Sequence, residues 1–389
     1  MWLLAAIPAF ICLFCASGAS FAGPAKQLAM SERFRALSAA FVGPEIVQTF
    51  SRVRNVAGVS GVTIPPVVAD GLVVVLDEWG KLTALNEGDL NNAVWYAELA
   101  EGVDRVYSGG LAYSNGMLLC AVDNLLYGID LKNGKVKWKK VLRNPLSGNL
   151  VTLNDGEAVA ALVIDNYLYV FNVADGGLLW HHEGVSAHGV RMQGTLSVAY
   201  SRRGNAIVVL FPDGKVLCLD AHSGDKIWEG ALQKRDLGIV GRSVVSPVVV
   251  AREVLLVGGS GVVESVELSS GKKVWSADVG ACDVFGVEKV GVFVLTRDGK
   301  LLAFDIESKI QLWASDLGKI KRGGWWNSPV LAAGKLWLLG SDGRLLGINP
   351  LSGTIEESYK ISGFFARSFA VAKNVAYAPA GKQGLVVLS

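Results

Sequence analysis

The chain has 389 residues, of which 51% are apolar and 19% charged. So much apolar surface argues against a disordered chain, and a net charge of +2 gives no pointer to a nucleic-acid binder, which calls for a strongly basic face. Five Cys over this length make no disulfide framework, and four His leave little room for an all-histidine metal centre.

The first 25 residues carry no charged side chain. An apolar stretch through Leu3–Ile7 and Ala9–Ala16 ends at Ser20-Phe21-Ala22, with small residues where a signal peptidase needs them. Residues 1–22 therefore read as a secretory signal peptide. A retained anchor is the alternative, because the stretch is near the ~20 residues that span a bilayer. Residues 23–45 read as a tether with a short helix: Leu28, Met30, Phe34, Leu37 and Phe41 fall roughly on one face, and Pro44 ends it. Ile46–Val53 then reads as a strand with Phe50 near its end.

From residue 80 a unit recurs: Gly or Asn, a short apolar run, an acidic or amide residue, a Gly turn, then Trp. The first copy is Gly80 to Asn86 with Trp95, one residue longer than the rest. The others are Asn124 to Asp130 with Gly134 and Trp138; Asn166 to Asn172 with Gly176 and Trp180; and Gly214 to Asp220 with Gly224 and Trp228. Gly261 to Glu267 follows with Gly271 and Trp275, then Gly299 to Asp305 with Trp313, where Lys309 stands at the Gly position. The seventh, Gly343 to Asn349 with Gly353, has Glu357 where Trp is due. Each unit reads as a hairpin: the acidic or amide side chain bonds its own turn and Gly supplies a positive φ. Two more short strands precede each hairpin, Val244–Val250 and Glu253–Val257 being the clearest pair.

Four antiparallel strands every ~40–45 residues mark a β-propeller blade. Arg367–Ala372, Val375–Ala378 and Leu385–Leu388 add three strands of a last blade, and Ile46–Val53 supplies its fourth, with Phe50 at the Trp position. The expected fold is all-β, an eight-bladed propeller over residues 46–389 closed by an N-terminal strand. A solenoid of the same units is the rival. It does not explain why the first and last fragments complement each other.

The recurring Asp and Asn read as turn formers rather than a carboxylate array, and the Trp set (Phe50, Trp95, Trp138, Trp180, Trp228, Trp275, Trp313) as packing between blades. His181-His182 read as surface residues, and Cys120, Cys218 and Cys282 as scattered thiols. No P-loop, nucleophile elbow or zinc-binding His pair is present. No catalytic residue, metal ligand or cofactor is therefore expected. The connections between blades are more informative, since propeller geometry brings them to one face. Arg54, Arg105, Arg143, Arg191, Arg242, Arg322 and Arg367 fall in seven of them, and only the stretch Ala281–Val287 lacks one. Arg and aromatic side chains are enriched at binding hot spots, so this face is the candidate interaction surface.

Ser246-Pro247-Val248-Val249-Val250, Asp298-Gly-Lys-Leu-Leu-Ala-Phe-Asp305 and Ser328-Pro329-Val330-Leu331, in this order and spacing, give the chain its family likeness. With the repeat and the exported start, it resembles the BamB family. These are propeller lipoproteins of the outer-membrane β-barrel assembly (BAM) machinery, within the quinoprotein-like superfamily. The resemblance covers residues 46–389. It implies a non-catalytic scaffold that binds a POTRA domain of a BamA-like protein and assists barrel folding and insertion. Unfolded outer-membrane proteins would be a second class of partner. The chain would be a monomer within a complex, in the periplasm and associated with the outer membrane through its N-terminus or its partner. The family docks through connections in the middle of the ring. Ala187-His188-Gly189-Val190-Arg191 stands at its docking motif, so His188, Val190 and Arg191 are candidate partner-binding residues, joined by Arg242, Arg322, Trp325 and Trp326. Arg242-Ser243-Val244-Val245 stands where the family has aspartates, and Phe14 precedes Cys15 where its lipobox has a small residue. An exported propeller with another partner is the alternative. A quinone-dependent dehydrogenase is a weaker one, since those enzymes carry an adjacent Cys pair and no two Cys adjoin here.

Overall fold

The structure, a computed structural model, describes residues 53–389 apart from 57, 100–104, 107, 185–196, 202–204, 212–213, 233–246, 259, 288–290, 321–323, 328, 333, 362–368, 373–374 and 389. The signal peptide, the tether helix and Phe50 therefore lie outside the described residues.

Eight four-stranded antiparallel sheets follow one another along the chain. Seven read as four consecutive strands in spatial order and the eighth is completed by the first strand of the chain; we number them as blades 1–8. Blade 1 runs from Val67 to Glu98, blade 2 from Gly109 to Val141, blade 3 from Val151 to Glu183 and blade 4 from Ser197 to Ala231. Blade 5 runs from Val248 to Asp278, blade 6 from Ala281 to Asp316 and blade 7 from Val330 to Lys360. Blade 8 takes three strands from Ala370 to Leu388, and its fourth is Val53–Asn55, which pairs antiparallel with Leu385–Leu388 at its edge. The closing strand is thus at the expected place in the sheet. Its described part begins where the sequence reading had it end, and Arg54 lies within it opposite Val387 rather than in a connection.

The sheets form a ring because their faces are apolar on both sides. The second strands are almost wholly buried, as in Leu72–Leu76, Ala158–Leu162 and Ala206–Leu210, and the third strands are buried over most of their middle, as in Leu125–Asp130. Each sheet is therefore covered by two neighbours. Eight apolar clusters fill the eight interfaces. The one around Val56, Val73, Tyr377 and Val387 joins blade 8 to blade 1 and closes the circle. First strands of successive blades approach one another and line the axis. Fourth strands form the outer rim and are mostly exposed, as Val136–Val141 is, where Trp138 is the one buried residue.

The tryptophans of the fourth strands lock each blade to the next. Trp95 Nε1 donates to the Leu131 carbonyl (2.8 Å), Trp138 to Val173 (2.9 Å), Trp180 to Ala221 (3.2 Å), Trp228 to Leu268 (2.6 Å) and Trp313 to Pro350 (3.0 Å). Every acceptor is the first residue of the next blade's outer hairpin turn. Three residues further on stands the turn glycine. Gly176, at φ +69°, lies so close to Trp138 that an added Cβ would meet the indole at 2.7 Å. Glycine is needed there for conformation and for space. The turn's acidic or amide side chain is used locally: Asp130 accepts from the Lys132 N–H (3.0 Å) and Asn172 from that of Ala174 (2.8 Å).

Among the described residues two interfaces depart from this rule, and the expected locking residue of blade 8, Phe50, lies outside them. At blade 6 the turn residue is Lys309, at φ +60°. Its ammonium bonds the Ile306 carbonyl, the acceptor position that an indole takes elsewhere, and pairs with Glu253 of blade 5 at 2.7 Å. Trp275 instead packs edge-on against Phe304, with ring centres 5.1 Å apart. At blade 7, Glu357 stands at the Trp position and binds Lys335, while the Tyr359 hydroxyl donates to it at 2.6 Å. Trp337, fully buried on the second strand, supplies the bulk.

Candidate functional site

Each connection from an outer strand to the next inner strand emerges on the same face as the hairpin between second and third strands. That shared position decides what the arginines do, because the hairpins carry carboxylates. Arg105, in the connection from blade 1 to blade 2, pairs with Glu78 of the blade 1 hairpin (Nη2–Oε2, 2.7 Å). Arg143 meets Asp165 of the blade 3 hairpin (3.1 Å) and Glu183 (3.5 Å) and lies 5.7 Å from the centre of the Tyr167 ring. Asn144 also donates to Asp165 (2.7 Å). Both arginines are more than half exposed, so the pairs add little stability. They fix the direction of the side chains and partly neutralise the face.

Between blades 6 and 7 the connection carries Trp325 and Trp326. Trp326 is buried in the cluster between these blades and donates its indole N–H to the Gly318 carbonyl (3.1 Å). The guanidinium of Arg344 lies 4.8 Å from the centre of its ring. Arg344 further bonds Asp342 (2.9 Å) and the carbonyls of Leu317 (3.2 Å) and Lys319 (3.0 Å). Trp326 therefore anchors the base of this connection instead of lining an exposed face. Trp325 is half-buried, its backbone held by the Ser341 hydroxyl (3.0 Å).

Of the remaining candidates, His188, Val190, Arg191, Arg242, Arg322 and Arg367 lie outside the described residues. The connection assigned to Ala281–Val287 is corrected: that stretch is the first strand of blade 6, and the link is Val279-Gly280. The sequence reading did not foresee Arg344, which sits at the start of a third strand where the repeat offers no signal. It also gave no part to Glu78 and Asp165. Their signal was the acidic residue recurring in the second hairpins, as at Asp165, Asp298 and Asp342.

Chemistry of other kinds finds little footing. Burial pushes the Cys218 thiol up to about 12 and raises that of Cys120 as well, so neither offers a thiolate near neutrality. Among the described residues no group of three or more His, Cys, Asp or Glu is placed to hold a metal ion. No helix among them is long and apolar enough to cross a membrane.

A sequence model of the family described as outer membrane protein assembly factor BamB matches residues 91–315. The protein of that name from Escherichia coli K12 is 27% identical over 314 residues, 77% of each chain. Its counterpart from Yersinia pestis is 22% identical over 310 residues, 76% of each chain. The crystal structure of BamB from Moraxella catarrhalis superposes with a TM-score of 0.71 at 15% identity, covering 87% of this chain and 98% of that one. The quinohemoprotein alcohol dehydrogenase of Comamonas testosteroni superposes with a TM-score of 0.63 at 13% identity, covering 87% and 75%. At such identities the two superpositions establish the propeller fold alone. The family model matches more than half of the residues, and the chain belongs to the BamB family of outer membrane protein assembly factors.

Proposed function

We propose that this protein is a non-catalytic scaffold of the outer-membrane protein assembly complex, held in the periplasm at the outer membrane. It binds a POTRA domain of a BamA-like protein through the connection face and so assists β-barrel folding and insertion. One observation carries the reading: the family match at 91–315 spans the connections in the middle of the ring, where Arg191 and Arg242 stand. Apolar contacts supply most of the affinity there and the guanidinium groups fix the register. The quinone-dependent reading fits the residues poorly, because no two Cys adjoin to lie beneath such a cofactor.

The test is binding of purified variants to the periplasmic region of the BamA-like partner. Arg191→Glu reverses charge in the middle of the proposed face and should weaken binding by more than the ~1 kcal/mol of a rim contact. Lys226→Glu, on the outer strand of blade 4 and paired there with Glu229 at 3.1 Å, should change little. Undiminished binding by Arg191→Glu together with loss in Lys226→Glu would move the partner to the outer rim.

A further inference from the structure

The outer strands form the exposed edges of the blades, and edges need charge to prevent strand-to-strand aggregation. Those of blades 1 and 3–7 meet that need with at least one Asp or Glu each: Glu98, Glu183, Glu229, Asp278, Asp316 and Glu356 are examples. Blade 2 differs. Its outer strand, Val136–Val141, reads Val-Lys-Trp-Lys-Lys-Val, and the turn before it adds Lys132 and Lys135. Five lysines thus fall within nine residues without a carboxylate among them. Lys137 reaches back to Asp130 (3.3 Å) and the Lys139 ammonium lies over the Tyr127 ring, 5.2 Å from its centre. Among the described residues Lys132 and Lys135 have no carboxylate within pairing distance. Apolar side chains stand between these cations: Val136 is 47% and Val141 72% exposed. The stem of Lys140 runs along Gly176, two residues before Leu178 of blade 3, which is itself 50% exposed.

We infer that the outer edge of blade 2 is a docking surface for an anionic phospholipid bilayer. Two properties favour lipid over an acidic protein. Every cation on the strand and its turn is Lys, which protein interfaces deplete while enriching Arg. Lys is a compact point charge that needs no matched fork, and this suits a diffuse layer of headgroups. The apolar tips are also scattered along a convex rim, where Val136, Val141 and Leu178 can each enter the interface separately. Contact here would stand the ring on its edge and leave the connection face free, so the inference does not depend on the partner proposed above.

The experiment uses the full chain with two kinds of vesicle, phosphatidylcholine alone and equal parts phosphatidylcholine and phosphatidylglycerol. Lysine acylation followed by peptide mass spectrometry reports which ammonium groups the lipid covers, whatever the N-terminal residues do. Lys132, Lys135 and Lys139 should be protected on the anionic vesicles and not on the neutral ones, while Lys226 and Lys273, paired with Glu229 and Glu264, stay reactive on both. The triple variant Lys132→Gln, Lys135→Gln, Lys139→Gln should lower the anionic-over-neutral partition ratio roughly hundredfold at low salt. Equal reactivity of all these lysines on both vesicles overturns the inference. So does protection of the blade 2 lysines by the POTRA region with none by lipid, which would assign the edge to protein.

Discussion

The blade-to-blade lock can be tested by removing one hydrogen bond while keeping an aromatic ring. Trp228→Phe leaves a ring against Gly271 but deletes the N–H that the Leu268 carbonyl accepts at 2.6 Å. Leu268 is buried, and the nearest substitute donor is the Cys218 thiol at 3.8 Å, a weak one. An orphaned buried acceptor costs about 1–3 kcal/mol, and the smaller ring forfeits roughly 1 kcal/mol of packing. Trp275→Phe loses the packing alone, because the equivalent carbonyl, that of Ile306, already takes the Lys309 ammonium. Trp228→Phe should therefore be the less stable of the two by about 1–3 kcal/mol. The check is the denaturant midpoint and slope of each variant beside the parent, followed by circular dichroism. Equal losses, or a larger loss for Trp275→Phe, would refute the idea that Lys309 has taken over the indole's place.

Removing residues through Val56 deletes the strand that pairs with Leu385–Leu388 and a buried valine of the closing cluster; thermal unfolding should fall by at least ~2 kcal/mol of stability and light scattering should rise from the opened edge. Arg344→Met strips the Trp326 ring, Asp342 and two carbonyls of their cation and should cost about 2 kcal/mol, measured by denaturation; no change would mean the clasp is incidental. The Tyr359 hydroxyl, donating to Glu357, has its pKa raised from 10.0 to about 12. The neutral phenol is favoured by folding, so this contribution is complete below pH 10 and is lost as pH rises from 10 to about 12. Glu357→Gln should flatten that alkaline loss and return the tyrosinate titration toward 10, as followed by ultraviolet absorbance.

Strand order and the Trp–turn repeat were legible in the sequence because they rest on local rules. Alternating burial, turn-forming Asp and Asn and a fixed Trp spacing each act within a dozen residues. The position of Lys309 was legible as a departure, but not its consequence, since its partner Glu253 lies in the preceding blade. The partners of the connection-face arginines were not legible for the same reason. Arg143 has no acidic neighbour in the sequence and Arg105 only Asp104, whereas the carboxylates they meet come from hairpins of other strands, 27 residues away for Glu78 and 22 for Asp165. Trp326 shows the limit of composition as a guide. An aromatic residue in a loop is an equally good hot spot or anchor until the fold places Arg344 over its ring.

Departures from the repeat divide by where they fall. At the interfaces between blades 5 and 6 and between blades 7 and 8, a buried element of the lock is missing, and the same site holds its replacement: the Lys309–Glu253 pair in one, the Lys335–Glu357–Tyr359 group in the other. A buried polar group without a partner would cost too much to persist, so such departures are repaired within the protein and report on stability. At the outer edge of blade 2 the departure is exposed. Lysines stand where the outer strands of blades 1 and 3–7 carry at least one carboxylate, and because water solvates them their mutual repulsion costs little and no buried partner is needed to repair it. An exposed departure that folding leaves undetermined is the kind that an external surface can explain, and that is why the edge of blade 2, rather than the altered interfaces, points outward to a ligand.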